Sequence, residues 1–238
     1  MTNQRIVDLA RTLKLGAFAE AYRHQCATPA ALQLSFEERV TQLLLGEELA
    51  RADAKRLRLQ RAARFRIDAR PEDYHHVIER GVSREIVAEL YSSSWIRRCE
   101  NILLTGPTGV GKTWIACSIG SAAIRQGISC SYFRVEDLVD MIDNAKLDGT
   151  LPKLRKSLAR VGVLIIDDFA MHRISETAEA DLFRIIEPRI GNSSTIISAQ
   201  RVLTEWPLII GNAHVADAIM DRFSTKTHII NMTGASQR

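Results

Sequence analysis

The residues GPTGVGKT at positions 106–113 have the types and spacing that bind nucleotide phosphates. They fit the pattern G-x-x-x-x-G-K-[ST] and follow an apolar, strand-like run, Ile102–Leu104. Glycines let successive backbone N–H groups converge on phosphate oxygens, and a helix that begins near Lys112 presents its positive end to the same charge. Lys112 is predicted to reach the β- and γ-phosphates, and the Thr113 hydroxyl to bind Mg²⁺. The predicted nucleotide-binding residues are Gly106, Pro107, Thr108, Gly109, Val110, Gly111, Lys112, Thr113 and Trp114.

Two adjacent carboxylates, Asp167 and Asp168, end the apolar run that begins at Val161. In P-loop NTPases an acid at the tip of the neighbouring strand holds the Mg²⁺ shell, which is the role predicted for Asp167. Asp168 is predicted to orient and polarise the attacking water. Two acids favour ATP hydrolysis over binding alone, and the absence of an N-K-x-D guanine signature favours adenine as the base.

Three further polar residues are candidates for contact with the γ-phosphate. Ser198 and Gln200 lie at the carboxyl end of a predicted strand, where ligands of open α/β sheets bind. One of them could contact the γ-phosphate or the attacking water. A polar turn at the end of a strand, without contact to a ligand, explains the two residues equally well. Arg222 closes a predicted helix, where it serves either as an arginine finger for a neighbouring subunit or as a cation favoured by the helix dipole.

Alternating strands and helices are predicted to position these residues. Helices are expected near 112–126, 135–144, 176–187 and 214–223, and strands at Ile102–Leu104, Ser131–Phe133, Val163–Ile166, Ile196–Ser198 and His228–Asn231. Apolar strands interleaved with helices predict an α/β fold with a mostly parallel sheet covered on both faces.

The chain before this core is predicted to be all-α. Apolar residues keep a rough three- and four-residue spacing, Gly16 and Thr28-Pro29 mark breaks, and Ser35-Phe-Glu-Glu38 is a capping box. We predict a helical N-terminal domain for DNA binding at 1–70, a linker with helices at 71–96 and the ATPase domain at 97–238.

The net charge of +4 comes entirely from the first part of the chain. Residues 1–98 hold 17 Lys and Arg against 13 Asp and Glu, whereas residues 99–238 hold 15 of each. The segment Ala50–Arg66 is especially basic, which fits sequence-independent contact with DNA phosphates, although a solvated helix face or an acidic neighbouring subunit fits equally well. The predicted DNA-binding residues are Arg51, Lys55, Arg58, Arg61 and Arg64.

Composition excludes several other classes of protein. Four scattered cysteines without a C-x-x-C pair indicate neither a zinc site nor a disulfide framework. Neither a long apolar run nor a signal-peptide pattern occurs, so we expect a soluble cytoplasmic protein without membrane contact.

The motifs LLTGPTGVGKTWIA, VGVLIIDDF, STIISAQ and ADAIMDRF follow one another in an order that resembles IstB-type AAA+ ATPases. That family is related to the DnaC helicase loaders and more distantly to DnaA. The resemblance extends over nearly the full length, including the basic RAARF segment at 61–65. It implies an AAA+ core without a C-terminal lid, ATP and Mg²⁺ as cofactors, ATP-dependent homo-oligomers on double-stranded DNA, and an IstA-type transposase as partner.

By the same resemblance, Lys112 and Thr113 are Walker A residues and Asp167 and Asp168 are Walker B residues. Gln200 falls at the sensor-1 position, Arg222 at the arginine-finger position, and Arg238 in a Gly-x-Ser-x-Arg ending that reaches a phosphate or is frayed. The function this implies is ATP-dependent delivery of target DNA to a transposase. The alternatives are a DnaC-like helicase loader, which would prefer single strands, and a small-molecule P-loop kinase, which leaves the basic segment unexplained.

Overall fold

The computed structural model describes residues 2–76, 82–169, 175–208, 210, 217, 219–221, 223, 225–234 and 236. The chain divides into two compact units, Met1–Arg58 and Leu59–Arg238. This division differs from the predicted boundaries at 70 and 96, because Ala63, Ala69 and Leu90 are buried in the same core as the strands. The predicted functional domains themselves stay a prediction.

Helices make up the N-terminal unit. Its elements are α1 (Thr2–Thr12), α2 (Gly16–Ala27), a 3₁₀ helix (Pro29–Gln33) and most of α3 (Phe36–Ala63). The capping box forms as predicted, since the Ser35 N–H donates to Glu38 Oε2 at 2.8 Å and the Glu38 N–H donates to Ser35 Oγ at 3.2 Å. The two reciprocal bonds fix the residue at which α3 begins.

Leu59–Arg238 is an α/β unit built on five strands. In chain order it contains a 3₁₀ helix (Pro71–His76), α4 (Arg84–Ser92), α5 (Ser94–Arg97), β1 (Asn101–Thr105), α6 (Lys112–Arg125), β2 (Cys130–Arg134), α7 (Val135–Leu147), α8 (Leu151–Ala159), β3 (Val163–Phe169), α9 (Glu176–Ile186), a 3₁₀ helix (Glu187–Arg189), β4 (Ser194–Ala199), a 3₁₀ helix (Leu203–Leu208) and β5 (Thr227–Asn231). All strand pairs are parallel, in the order β2-β3-β4-β1-β5. The predicted α/β fold with a parallel sheet is therefore confirmed.

The strand order corrects one expectation about the site. The strand that carries the two acids, β3, is not the neighbour of β1, because β4 lies between them and pairs with both. Sheet order is set by helical crossovers that connect distant strands, and local sequence patterns do not encode it. The loop that follows β1, residues 106–111, is called the phosphate loop below. Because β4 lies between β1 and β3, Ser198 on β4 lies between the strand that precedes this loop and the strand that carries the acids.

Both faces of the sheet are covered, as a parallel sheet requires. One core contains side chains of α4, α5 and α6 together with Ile102, Ile165 and Ile196. The other contains side chains of α7, α8 and α9 with Leu103 and Leu164. Neighbouring residues of β1, β2, β3 and β4 thus enter opposite cores, so each of these strands has an α6 face and an α7–α9 face.

All five strand predictions and the helices near 112, 135 and 176 are confirmed to within a few residues. The range 214–223 is only partly described, and its described residues 217, 219–221 and 223 are helical. Helix α8 was not predicted. None of the described helices combines the length and the hydropathy that crossing a membrane requires.

Arg189 ties the starts of β3 and β4 together beneath the sheet. Its side chain is fully buried, and burial lowers the pKa of the guanidinium to about 10. It donates hydrogen bonds to the carbonyl oxygens of Leu158, Val161 and Ser194 and to Thr195 Oγ1. These bonds satisfy backbone groups at the ends of the strands opposite to the phosphate loop.

Replacing Arg189 with Met should lower the free energy of unfolding by at least about 3 kcal/mol, because several buried acceptors would lose their donors together. Urea unfolding of the full chain measures the loss. Arg184→Met is the matched control, since Arg184 is exposed and its partner Asp181 keeps ion pairs with Lys146 and Arg155. Equal stabilities of the two variants would contradict the role given to Arg189.

Candidate nucleotide-binding site

The loop between β1 and α6 has a backbone that only glycine readily adopts. Gly106, Gly109 and Gly111 have φ values of 141°, 84° and 100°, in the region that side chains disfavour. A Cβ at Gly106 would collide with the carbonyl oxygen of Met232, which follows β5. The glycines thus allow the curvature of the loop and its close contact with the chain beyond β5.

Lys112 begins α6 and points back into this loop. The side chain is only 6% exposed, and Nζ donates to the carbonyl oxygens of Gly106 at 2.7 Å and Pro107 at 2.9 Å. The ammonium group is therefore held inside the loop at the helix N-terminus, where backbone N–H groups and the helix dipole favour an anion.

Asp167 is a fully buried carboxylate that accepts hydrogen bonds from three hydroxyl groups. Thr113 Oγ1 and Tyr132 Oη each donate to Oδ2 at 2.7 Å, and Ser198 Oγ donates to Oδ1. Strand alternation explains why the three side chains converge. Ile165, Cys130 and Ile196 pack on the α6 side of the sheet. Asp167, Tyr132 and Ser198 each follow two positions later on the same strands and so face the same side. Burial and the bond to Asp167 raise the pKa of Tyr132, so its hydroxyl remains a donor.

Asp168 departs from the regular strand. Its φ of 57° is left-handed, and the pairing of β3 with β4 shifts register between Ile166 and Phe169. Regular alternation would direct Asp168 to the face opposite Asp167. Instead its carboxylate lines the same cavity as Lys112, with Oδ2 at 3.4 Å from Arg134 Nε and 3.8 Å from Arg66 Nη1.

A cavity of about 260 Å³ opens between the loop and the acids. It is lined by Arg66, Ile67, Thr108, Gly109, Gly111, Lys112, Thr113, Trp114, Asp168 and Gln200. Most of the predicted nucleotide-binding residues therefore surround one space. Val110 is instead buried in the core beneath the loop, and Gly106 and Pro107 contribute the carbonyl groups that hold Lys112.

The two candidates for sensor 1 have different environments. Ser198 is buried and bonds to Asp167, and it also accepts the Asp168 N–H at 3.2 Å. Gln200 follows the end of β4 and lines the cavity. Gln200 is therefore the better placed of the two for contact with a nucleotide, whereas Ser198 is placed to orient Asp167 and Asp168. Arg222 and Arg238 lie outside the described residues.

The predicted DNA-binding residues lie on or just after α3 and are exposed. Arg51 is engaged within the N-terminal unit, donating to Glu47 at 2.8 Å and to the Lys14 carbonyl oxygen at 3.0 Å. Within the described ranges, Lys55, Arg58, Arg61 and Arg64 form no ion pair with a carboxylate. The side chains of these four cations are exposed.

Three residues of the site were not predicted from the sequence. Tyr132 and Arg134 lie on β2, and Arg66 lies in the segment after α3 that was considered only for its charge. The signal for Tyr132 and Arg134 is a hydroxyl and a cation on the strand paired with β3, where Arg134 stands opposite Asp167. The sequence alone does not show that β2 pairs with β3, so these two residues could be assigned to the site only after the strand order was known.

Comparison with known sequences finds one protein family that matches nearly the whole chain. The sequence profile of the family described as "IstB-like ATP binding protein" matches residues 8–238. An insertion sequence ATP-binding protein of Sinorhizobium fredii is 37% identical over 232 residues, covering 98% of this chain and 95% of that protein. The corresponding protein of IS1162 from Pseudomonas fluorescens is 42% identical over 202 residues, covering 84% and 87%.

Solved structures with a similar fold come from replication proteins. The DnaC helicase loader superposes with a TM-score of 0.57 at 17% identity, covering 70% of this chain and 97% of the loader. DnaA bound to AMPPCP and single-stranded DNA gives 0.58 at 17% identity, and the match spans about half, 52%, of that chain. At this identity the likeness concerns the AAA+ fold alone.

Removing the Tyr132 hydroxyl should destabilise the protein without nucleotide. Tyr132→Phe takes one donor from a buried carboxylate, so the free energy of unfolding should fall by about 1.5–3 kcal/mol in urea. Tyr91→Phe is the control, because the Tyr91 hydroxyl bonds to the neutral Ser118 hydroxyl at 2.9 Å and its loss should cost only about 1 kcal/mol. A smaller effect at Tyr132 than at Tyr91 would contradict the importance of the contact with Asp167.

Proposed function

Because the chain belongs to the IstB-like family of insertion sequence ATP-binding proteins, we propose that it is an ATP-hydrolysing regulator of transposition. In this proposal it assembles on double-stranded target DNA, binds ATP between subunits in the bacterial cytoplasm, and delivers the target to the transposase of its insertion sequence. Hydrolysis then releases or resets the assembly.

The observation that carries the proposal is the contact between the phosphate loop and the first acid. Thr113 Oγ1 lies 2.7 Å from Asp167 Oδ2, while Lys112 Nζ is held in the loop directly before it. A hydroxyl and a carboxylate are the oxygen donors that Mg²⁺ prefers. Thr113 and Asp167 would hold the ion, which would supply positive charge to the phosphates of ATP.

Hydrolysis is supported by two polar residues of the cavity lining. Asp168 and Gln200 both line it, and a carboxylate beside an amide suits the orientation of an attacking water. We assign Asp168 to the activation of that water and Gln200 to contact with it or with the γ-phosphate. Arg222 of a neighbouring copy would complete the site and make hydrolysis depend on assembly.

DNA binding is supported by the exposed cations of α3 and the residue after it. Lys55, Arg58 and Arg61 are spaced so that they lie near one side of the helix. Contact with DNA phosphates needs positive charge along the backbone and no base contacts, so little sequence specificity is expected. Duplex DNA is the proposed ligand, since the aromatic side chains that stack on single-stranded bases are scarce here.

Assembly should require both ATP and duplex DNA. We expect sedimentation velocity to detect large complexes only when both are present, and to detect none with ADP or with Lys112→Ala, which loses the cation of the phosphate loop. Lys153→Ala is the control, because Lys153 is an exposed lysine on α8. A monomer on duplex in every nucleotide state, or assembly only on single strands, would contradict the proposal and favour a helicase loader.

The basic segment should set the salt dependence of DNA binding. Replacing Arg61 and Arg64 with Ala should weaken duplex binding and reduce the slope of log K against log salt by about 2, because two phosphate contacts are lost. Fluorescence anisotropy at several salt concentrations measures both quantities.

Replacing Arg11 and Arg23 with Ala is the matched control for that variant. The same net charge is removed, but both residues pair with Glu20 in the N-terminal helices. An identical loss of slope in the two double variants would mean that net charge alone, and not the basic segment, attracts the DNA.

A further inference from the structure

Arg66 contributes an unassigned cation to the cavity. It is the third residue after the end of α3, and it lines the same space as Lys112, Thr113 and Asp168. Its side chain is 45% exposed, so most of its donors remain accessible. Neither the phosphate-loop motif nor the acids of β3 include it.

The neighbours of Arg66 hold it in place. Phe65 packs against α6 so closely that a Cβ at Gly120 would lie 2.7 Å from its ring. Ile67 packs against the same core, and the backbones of Arg66 and Ile67 lie next to the Cys117 thiol on α6. Burial raises the pKa of that thiol to about 11, so it remains neutral. The backbone at Arg66 is therefore fixed to the helix that begins with Lys112.

The ion pair of Arg66 is weak and can be exchanged. Its guanidinium lies 3.8 Å from Asp168 Oδ2, and a partly exposed pair at that distance contributes little stability. Asp168 has a second counterion, because Arg134 Nε lies 3.4 Å from the same oxygen. Release of Arg66 would therefore leave Asp168 paired.

The position of Asp168 indicates which part of a nucleotide Arg66 would meet. Thr113 and Asp167 are in contact and would hold the Mg²⁺ that accompanies the β- and γ-phosphates. Asp168 follows Asp167 directly and lines the cavity, and its proposed role on the attacking water places it beside the γ-phosphate. A cation beside Asp168 is thus close to the terminal phosphate and farther from the phosphate nearest the ribose.

We infer that Arg66 recognises the γ-phosphate of ATP, leaving Asp168 when a triphosphate binds and returning to it when a diphosphate remains. Arg66 would then be a binding residue from the protein's own chain that distinguishes ATP from ADP. The assignment rests on ATP binding at this site, as proposed above.

Calorimetric titration of the full chain with Mg²⁺ tests the assignment, using ADP and the β,γ-methylene analogue of ATP as probes. In Arg66→Ala the preference for the triphosphate over ADP should fall about 10-fold, because a charge-assisted contact with one phosphate is lost. The affinity for ADP should stay unchanged, which also shows that the variant is folded. Arg66→Lys should retain part of the preference.

Arg70→Ala is the matched control, since Arg70 lies in the same segment and pairs only with the exposed Asp68 among the described residues. Its preference should equal that of the wild type. Equal weakening of both nucleotides in Arg66→Ala, or an unchanged preference, would overturn the assignment. If the wild type bound neither nucleotide, or if Lys112→Ala bound both as the wild type does, the proposed ATP site itself would fail.

Discussion

One buried negative charge organises the nucleotide-binding side of the protein. The Asp167 carboxylate is removed from water, and burying an unpaired charge is costly, so its oxygens need donors. Hydroxyls on α6, β2 and β4 supply them through Thr113, Tyr132 and Ser198. The bond from Thr113 holds the start of α6 against the sheet, and the bonds from Tyr132 and Ser198 join β2 and β4 to β3 around the same carboxylate.

Local sequence patterns predicted the parts of this site that depend on local structure. The phosphate loop, the acids at Asp167 and Asp168 and the five strands follow from glycine spacing and apolar runs, and the capping box at Ser35 follows from four residues. Tyr132, Arg134 and Arg66 could not be found in that way. Their roles depend on which strand pairs with β3 and on how the chain after α3 packs against α6, and both are consequences of tertiary structure.

Several cations of the protein differ in how deeply they are buried and in which groups they contact. Arg189 is buried among carbonyl groups and supports the sheet, Lys112 is held by the carbonyl groups of its own loop, and Arg66 shares a carboxylate with Arg134. Arg61 and Arg64 face solvent without a carboxylate in the described part of the chain. In order of increasing exposure, these cations support the sheet, lie at the proposed nucleotide site and form the proposed surface for DNA.

The adjacent residues Asp167 and Asp168 should respond differently to replacement by asparagine. Asp168 has a left-handed backbone, with a φ of 57°. Asparagine is one of the few residues that adopt this conformation readily, so Asp168→Asn removes charge with little backbone strain. At Asp167, Asn would place an amide donor against hydroxyls that already donate to the carboxylate, and the hydroxyls would have to reorient. The same substitution therefore isolates charge at one position and rearranges a hydrogen-bond network at the other.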